Sequence, residues 1–392
     1  MRQSRFIPLF LSISLMNLCW AQNAALPDPE KPGPYPVGVT TMQLADPART
    51  EVFPEGPRKL LTEIWYPAAD AAKDMPKKGL IDTYMSNIPK PFFGILTTIV
   101  SVDLQKFDSI FQFFAFRDAP IRDGVFPLLV FSHGSVAARI QNIFWCEHMA
   151  SHGYVVMAPD HTGNAIITFV DGKPVTVDGK IPQEKMATKR VGDVRFLIDQ
   201  MDAMNKDAAS LFAGHVDMDR IGVSGHSFGG FTAAAAADAD PRIKAIAPMA
   251  GLYVERTNFT CPVMALVASE DKIITKMLQE KPDLYKDMRQ YCAESQGPHY
   301  LVEFLNAGHF SFTEVHQCVP DFGDGVGQGK RVTNGEPLDF TPMAVIYPLI
   351  DGYTTAFFGR YLKNETGYDA YLQSNRNPQE IRIETGSNTA GS

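Results

Sequence analysis

Neither His-Glu-x-x-His nor Cys-x-x-Cys occurs in the 392 residues, so two common metal signatures are missing and no metal is expected. The phosphate loop and the dinucleotide glycine pattern are missing as well. Gly225, Gly229 and Gly230 have the wrong spacing and no Lys follows them, so no cofactor is expected either. Basic charge is in deficit, 36 Lys and Arg against 44 Asp and Glu, and the net charge of −8 argues against nucleic acid as a partner. Heptads, fixed-period repeats and internal low-complexity blocks are absent. The apolar run Phe6–Leu18 falls short of the ~20 residues that cross a bilayer as a helix. Cysteines are few: four remain beyond Cys19, namely Cys146, Cys261, Cys292 and Cys318.

What is present begins with an export pattern. Arg2 and Arg5 precede that short apolar run, and Cys19-Trp20-Ala21 closes it with small residues at the cleavage positions, as in a signal peptide over residues 1–21. A periplasmic or secreted location is therefore expected, and an oxidising destination permits disulfides. Cys292 and Cys318 bracket one strand-and-loop unit and are the expected pair; Cys146 lies in an apolar helix pattern and reads as packing. Hydrophobic content of 45% and charged content of 20% are those of a globular domain. That domain is placed at residues 22–365, followed by a polar tail over 366–392 whose stretch from Ser374 to Ser392 is expected to fray.

Short apolar runs alternate with helical patterns along this domain. "FPLLVFSHG", "YVVMAPD", "RIGVSGH", "IKAIAPMAG", "VMALVASE" and "HYLVEFLNA" read as strands buried on both faces. "NIFWCEHMASHG", "QEKMATKRVGDVRFLIDQMDAM", the alanine-rich run after Ser227 and "MAVIYPLIDGYTTAFFGRYL" read as helices. The alternation predicts an α/β fold with a mostly parallel central sheet, helices on both faces, and strand carboxyl ends along one rim. "RKLLTEIWYP" reads as an edge strand. Residues 89–116 form a helical Phe-rich insertion, read either as core capping or as a lid and acyl-binding wall that includes Phe111 and Phe114. The polar insertion 273–298 carries no chemistry that the sequence names.

Gly225-His226-Ser227-Phe228-Gly229 is G-x-S-x-G between a strand and a helix, the setting of a nucleophile elbow. A lone serine hydroxyl needs a base and an acid to orient that base, and in this sheet type they follow in the chain order Ser, Asp or Glu, His. Asp271 follows "VMALVASE" and His309 follows "HYLVEFLNA", each at a strand end. Glu270 adjoins Asp271 and remains an alternative acid. His148, His152, His299 and His316 lie off these strand ends and read as structural. The tetrahedral intermediate requires two N–H donors. Phe228, directly after the serine, supplies one; the turn Ser132-His133-Gly134-Ser135 supplies the other from Ser135, with Val136 as the fallback.

Together "VFSHGS", "SHGYVVMAPDHTGN", "GHSFGG" and "AGHFSF" resemble the platelet-activating-factor acetylhydrolase and dienelactone-hydrolase-like branch of the α/β-hydrolase fold, over roughly residues 35–365. The resemblance implies a serine carboxylic-ester hydrolase that acts through an acyl-enzyme on short-chain or phospholipid esters without a metal. It carries the nucleophile onto Ser227, the histidine onto His309 and the donors onto Ser135 and Phe228. A serine peptidase of the same fold and a polyester- or lipase-type hydrolase are the competing readings. The implied partner is a small-molecule or lipid ester, with peripheral lipid contact through the Phe-rich insertion.

Overall fold

A computed structural model describes residues 25–52, 55–86, 88, 92, 109–254, 260–319 and 322–387. Ten strands make the central sheet: β1 (Val37–Val52), β2 (Glu55–Pro67), β3 (Ala115–Arg117), β4 (Phe126–Ser132), β5 (Val155–Pro159), β6 (Val216–His226), β7 (Ile243–Met249), β8 (Val263–Ala268), β9 (Pro298–Phe304) and β10 (Ile381–Ser387). Their order across the sheet is β10-β9-β8-β7-β6-β4-β5-β2-β1-β3. From β9 to β5 every neighbour is parallel. Antiparallel pairs β9–β10, β5–β2 and β2–β1 extend the two sides.

The described α-helices of seven residues or more are α1 (Ile143–Ser151), α2 (Gln183–Lys206), α3 (Phe228–Ala239), α4 (Lys272–Glu280), α5 (Met288–Glu294) and α6 (Met343–Leu362). Side chains alternate between the faces of a strand, so a strand covered on both sides is apolar at every position. In β8, Met264, Leu266 and Ala268 join one buried cluster with Trp145 of α1 and Phe357 of α6. Val263, Ala265 and Val267 join the other cluster, with Leu197 of α2, Ala233 of α3 and Met288 of α5. Among the described residues no helix is long and apolar enough to cross a membrane.

Three expectations are corrected here. "RKLLTEIWYP" is not at the edge: β2 lies between β5 and β1 with Leu60–Pro67 almost wholly buried, because the 16-residue β1 pairs along its outer side. The tail does not fray throughout, since Ile381–Ser387 pairs in continuous register with Pro298–Phe304 and buries Ile381. Cys292 and Cys318 are not bonded, and none of the four described cysteines is in a disulfide. The sheet separates that pair: Cys292 is buried in the cluster of α2, α3 and α5, whereas Cys318 packs on the cluster of α1 and α6. Of the Phe-rich insertion, residues 89–91 and 93–108 lie outside the described residues, as does the signal-peptide segment.

Candidate active site

The chain turns from β6 into α3 at Ser227, whose φ of 55° and ψ of −116° lie where side-chain-bearing residues are rarely found. Holding such a conformation costs of order 1–3 kcal/mol, which the surroundings must over-determine. They do so from both directions, since the Ser227 N–H donates to the Met249 carbonyl at 2.8 Å and its own carbonyl accepts from Phe231 N at 3.1 Å. The flanking glycines let the start of α3 press onto the end of β4. A Cβ on Gly225 would stand 2.5 Å from the Ser132 carbonyl oxygen, and one on Gly229 only 1.7 Å from it. Gly229→Ala is therefore expected to cost about 3 kcal/mol or more of stability, read as a lowered midpoint in urea unfolding.

His309 begins a short 3-10 turn beyond β9 and is 2% exposed. Its Nδ1 lies 2.8 Å from Asp271 Oδ2, while the other carboxylate oxygen of Asp271 accepts the Ile274 N–H at 2.8 Å and so caps α4. A carboxylate with both oxygens engaged has one orientation, and it sets the ring: Nδ1 carries the proton and Nε2 is left as the basic nitrogen. Glu270 is turned elsewhere, accepting from Arg331 Nη1 at 2.9 Å and Val332 N at 2.8 Å. Of the two acids the sequence left open, Asp271 is the one that touches His309.

Two residues that sequence reasoning passed over join the three loops. Gly134 N donates to Gln141 Oε1 at 2.7 Å, and Gln141 Nε2 donates to His226 Nδ1 at 3.1 Å. His226 Nε2 then donates to the His309 carbonyl at 2.9 Å, its ring 4.7 Å from that of His309. Burial holds His226 well below the usual histidine range, so it stays neutral and keeps this donor–acceptor order. Its place in the G-x-S triplet was the available signal; Gln141 carried none.

Ser227, Phe228 and Ser135 open onto one cavity of about 450 Å3. The Val136 N–H is engaged by the Asn164 carbonyl at 3.1 Å, which leaves Ser135 as the better-placed donor of that turn. Part of the remaining wall comes from the insertion that looked featureless, through Ile273, Ile274, Met277, Leu284 and Tyr285, and part from the segment 177–187 that leads into α2. Phe111 and Phe114 do not. They line a separate cavity of about 320 Å3 with Glu147 and Tyr347, and Phe111 belongs to the buried cluster of α1 and α6. Among the described residues no group of three or more His, Cys, Asp and Glu is arranged to hold a metal. His148 and His152 donate to the Pro29 and Lys31 carbonyls, with His148 also 3.4 Å from Asp351; His299 donates to the Gly297 carbonyl, and His316 bonds the Thr313 hydroxyl and packs on Phe310.

Comparison with known proteins agrees with this framework. The family model for platelet-activating factor acetylhydrolase, isoform II, matches residues 21–195, in keeping with the motif resemblance. Cutinase est2 of Thermobifida alba is 26% identical over 165 residues, which cover 42% of this chain and 48% of that protein. The chain thus spans about half the length of that curated relative. A ferulic acid esterase from Streptomyces cinnamoneus superposes with a TM-score of 0.68 over 92% of this chain and 99% of that one, at 22% identity, and establishes the shared fold. The PET hydrolase-like family model matches residues 122–323, just over half of the chain and all of the elbow, Asp271 and His309. The chain belongs to the PET hydrolase-like family, built on the α/β-hydrolase fold.

Proposed function

We propose that the protein is an exported serine carboxylic-ester hydrolase working through an acyl-enzyme, with Ser227 as nucleophile, His309 as base and Asp271 as the orienting acid. The observation that carries this reading is the 2.8 Å contact between His309 Nδ1 and Asp271 Oδ2, made by the loops that flank the strained serine turn. Ser227 Oγ attacks the ester carbonyl carbon while His309 Nε2 takes its proton. The carbonyl electrons move onto oxygen, where the N–H groups of Phe228 and Ser135 and the amino end of α3 stabilise the charge. Collapse expels the alcohol, which leaves with the proton from His309. Water then repeats the sequence on the acyl-enzyme, releasing the acid and restoring Ser227. Export rests on the charge and apolar pattern of residues 1–21.

The substrate class follows from the cavity walls. Ile181, Met186, Phe231 and Met277 offer apolar surface for an acyl or alcohol group of moderate size. A polyester reading has its own support: Val136, Ile273 and Leu284, at 44%, 38% and 42% exposure, present apolar side chains at the cavity and could lie against an insoluble ester. Nitrophenyl esters of graded chain length, an acetylated phospholipid and a polyester suspension, assayed in parallel, separate the two. A fluorophosphonate probe should label the peptide containing Ser227; absence of labelling together with no hydrolysis in the whole panel would overturn the reading. Met277→Trp should lower kcat/KM for long acyl esters about tenfold or more and spare the acetate, because the larger ring takes up cavity volume. Polar substitution of Phe111 and Phe114 should change neither.

A further inference from the structure

Behind the 132–136 turn lies a buried chain of polar groups that the proposed reaction does not use. Arg190, on α2 and fully buried, donates from Nη2 to Ser132 Oγ at 2.9 Å and to the His133 carbonyl. Because Ser132 Oγ accepts there, its own proton points to His161 Nε2 at 2.9 Å, and His161 Nδ1 donates to Asp193 Oδ2 at 2.8 Å. Burial pushes His161 down to about 3, which keeps the ring neutral and this order fixed. Asp193 is in turn gripped by Arg58 through Nε at 2.5 Å and Nη2 at 2.6 Å. Serine, histidine and aspartate recur here, but all three are completely buried and no substrate reaches the hydroxyl.

Arg190 is the member that faces the candidate active site. Its Nη1 donates to Asn164 Oδ1 at 2.6 Å, and the Asn164 carbonyl accepts the Val136 N–H at 3.1 Å. Its guanidinium carbon lies 4.6 Å over the centre of the Phe228 ring, within cation–π range. One planar group thus touches the carbonyl before Gly134, the residue that fixes Val136, and the side chain of the other donor residue. Its hydrogen-bond partners are all neutral, and Asp193, the carboxylate that attracts its charge, is itself bonded to Arg58 and His161. Desolvation brings the guanidinium down to about 9, with Asp193 opposing, which still leaves it charged at pH 7.

We propose that Arg190 is a positioning residue of the oxyanion hole: its fork holds the 132–136 turn and Phe228 as one rigid unit and sets a fixed positive charge behind the two N–H donors. This rests on the assignment of Ser135 and Phe228 as those donors. A lysine keeps the charge but loses the planar fork, and a methionine loses both. Arg190→Lys and Arg190→Met should fold, as judged by thermal unfolding, and lower kcat on a soluble nitrophenyl ester about 10-fold and 100-fold respectively, with KM within about twofold. Inhibition by a trifluoromethyl ketone, which forms a tetrahedral oxyanion on the serine, should weaken in the same proportion as kcat/KM. A folded variant with kcat within about threefold of the parent overturns the proposal. So does an Arg190→Lys that fails to fold, since Arg190 would then serve stability alone, and so does a fall in kcat with ketone affinity unchanged. Ser227→Ala as reference keeps the two readings apart: activity surviving in that variant sinks the reaction itself, whereas its loss beside a fully active Arg190→Met sinks only the role of Arg190.

Discussion

Ser227→Ala is expected to abolish ester hydrolysis, with kcat falling about 10^6-fold, while the protein keeps its fold and thermal midpoint. The dissociation of the two effects follows from the geometry of the turn. Ser227 stands at the N-cap of α3, yet its hydroxyl makes no capping hydrogen bond, so removing the oxygen takes nothing from the helix. The bonds that hold the turn come from backbone atoms, the Ser227 N–H to Met249 and the Ser227 carbonyl from Phe231, and alanine retains both. Alanine at φ 55° bears the same backbone penalty as serine, so no new strain enters. Stopped assays at high enzyme concentration, beside thermal unfolding of both proteins, would measure this. Hydrolysis within about tenfold of the parent would remove the acyl-enzyme from consideration. Loss of activity accompanied by loss of structure would show that the hydroxyl has a packing role the hydrogen bonds do not reveal.

That serine was legible in the sequence because its requirements are local. A strand, two glycines and a small-residue helix lie within 17 residues, and the close approach of Gly229 to the Ser132 carbonyl is the physical reason for the pattern. His309 and Asp271 were legible at one remove, from chain order and the ends of strands whose continuous apolar runs are unmistakable. Choosing between Asp271 and Glu270 required coordinates, since adjacent residues differ in direction by a backbone rotation that composition does not record. The cavity walls were hidden for a different reason. Residues 272–298 look polar because α4 buries only one flank: Lys272, Lys276 and Gln279 face solvent while Ile274 and Met277 are half-buried toward the cavity. The phenylalanines misled in the opposite sense, for aromatic density marks burial, and burial of Phe111 serves the core under α1 and α6. β10 was missed because an edge strand needs few apolar side chains; its pairing with β9 is carried by backbone groups and the burial of Ile381.

The polar connections between loops explain how residues more than 170 positions apart in the chain stay aligned. Gly134, Gln141, His226 and His309 form a relay of hydrogen bonds that runs past the nucleophile and ties the oxyanion turn to the histidine loop. Each group in it is buried and partnered, the condition under which a polar network rigidifies a site instead of weakening the core. The Arg190 chain braces the same turn from the other side. Precision at the candidate site thus comes from two buried networks meeting at residues 132–136, and reactivity is expected to be more sensitive to their loss than overall stability is.

Asp271→Asn provides the sharpest contrast with its neighbour. Asparagine can keep the cap of α4, because its amide oxygen accepts the Ile274 N–H as Asp271 Oδ1 does. The amide nitrogen then faces His309 Nδ1, and two donors cannot share a hydrogen bond. The ring answers by moving its proton to Nε2, the atom that must take the proton of Ser227, so kcat should drop about 10^4-fold with little change in stability. Glu270→Gln should do the reverse. Glu270 is 5% exposed and accepts from both Arg331 and Val332, so weakening those bonds costs about 1 kcal/mol while the base is untouched and kcat stays within about threefold. Steady-state kinetics and urea unfolding on the two variants, run as a pair, test both halves. Activity lost in Glu270→Gln and kept in Asp271→Asn would shift the acid by one residue, and would mean that the 2.8 Å contact between His309 and Asp271 fixes a loop and does not orient a base.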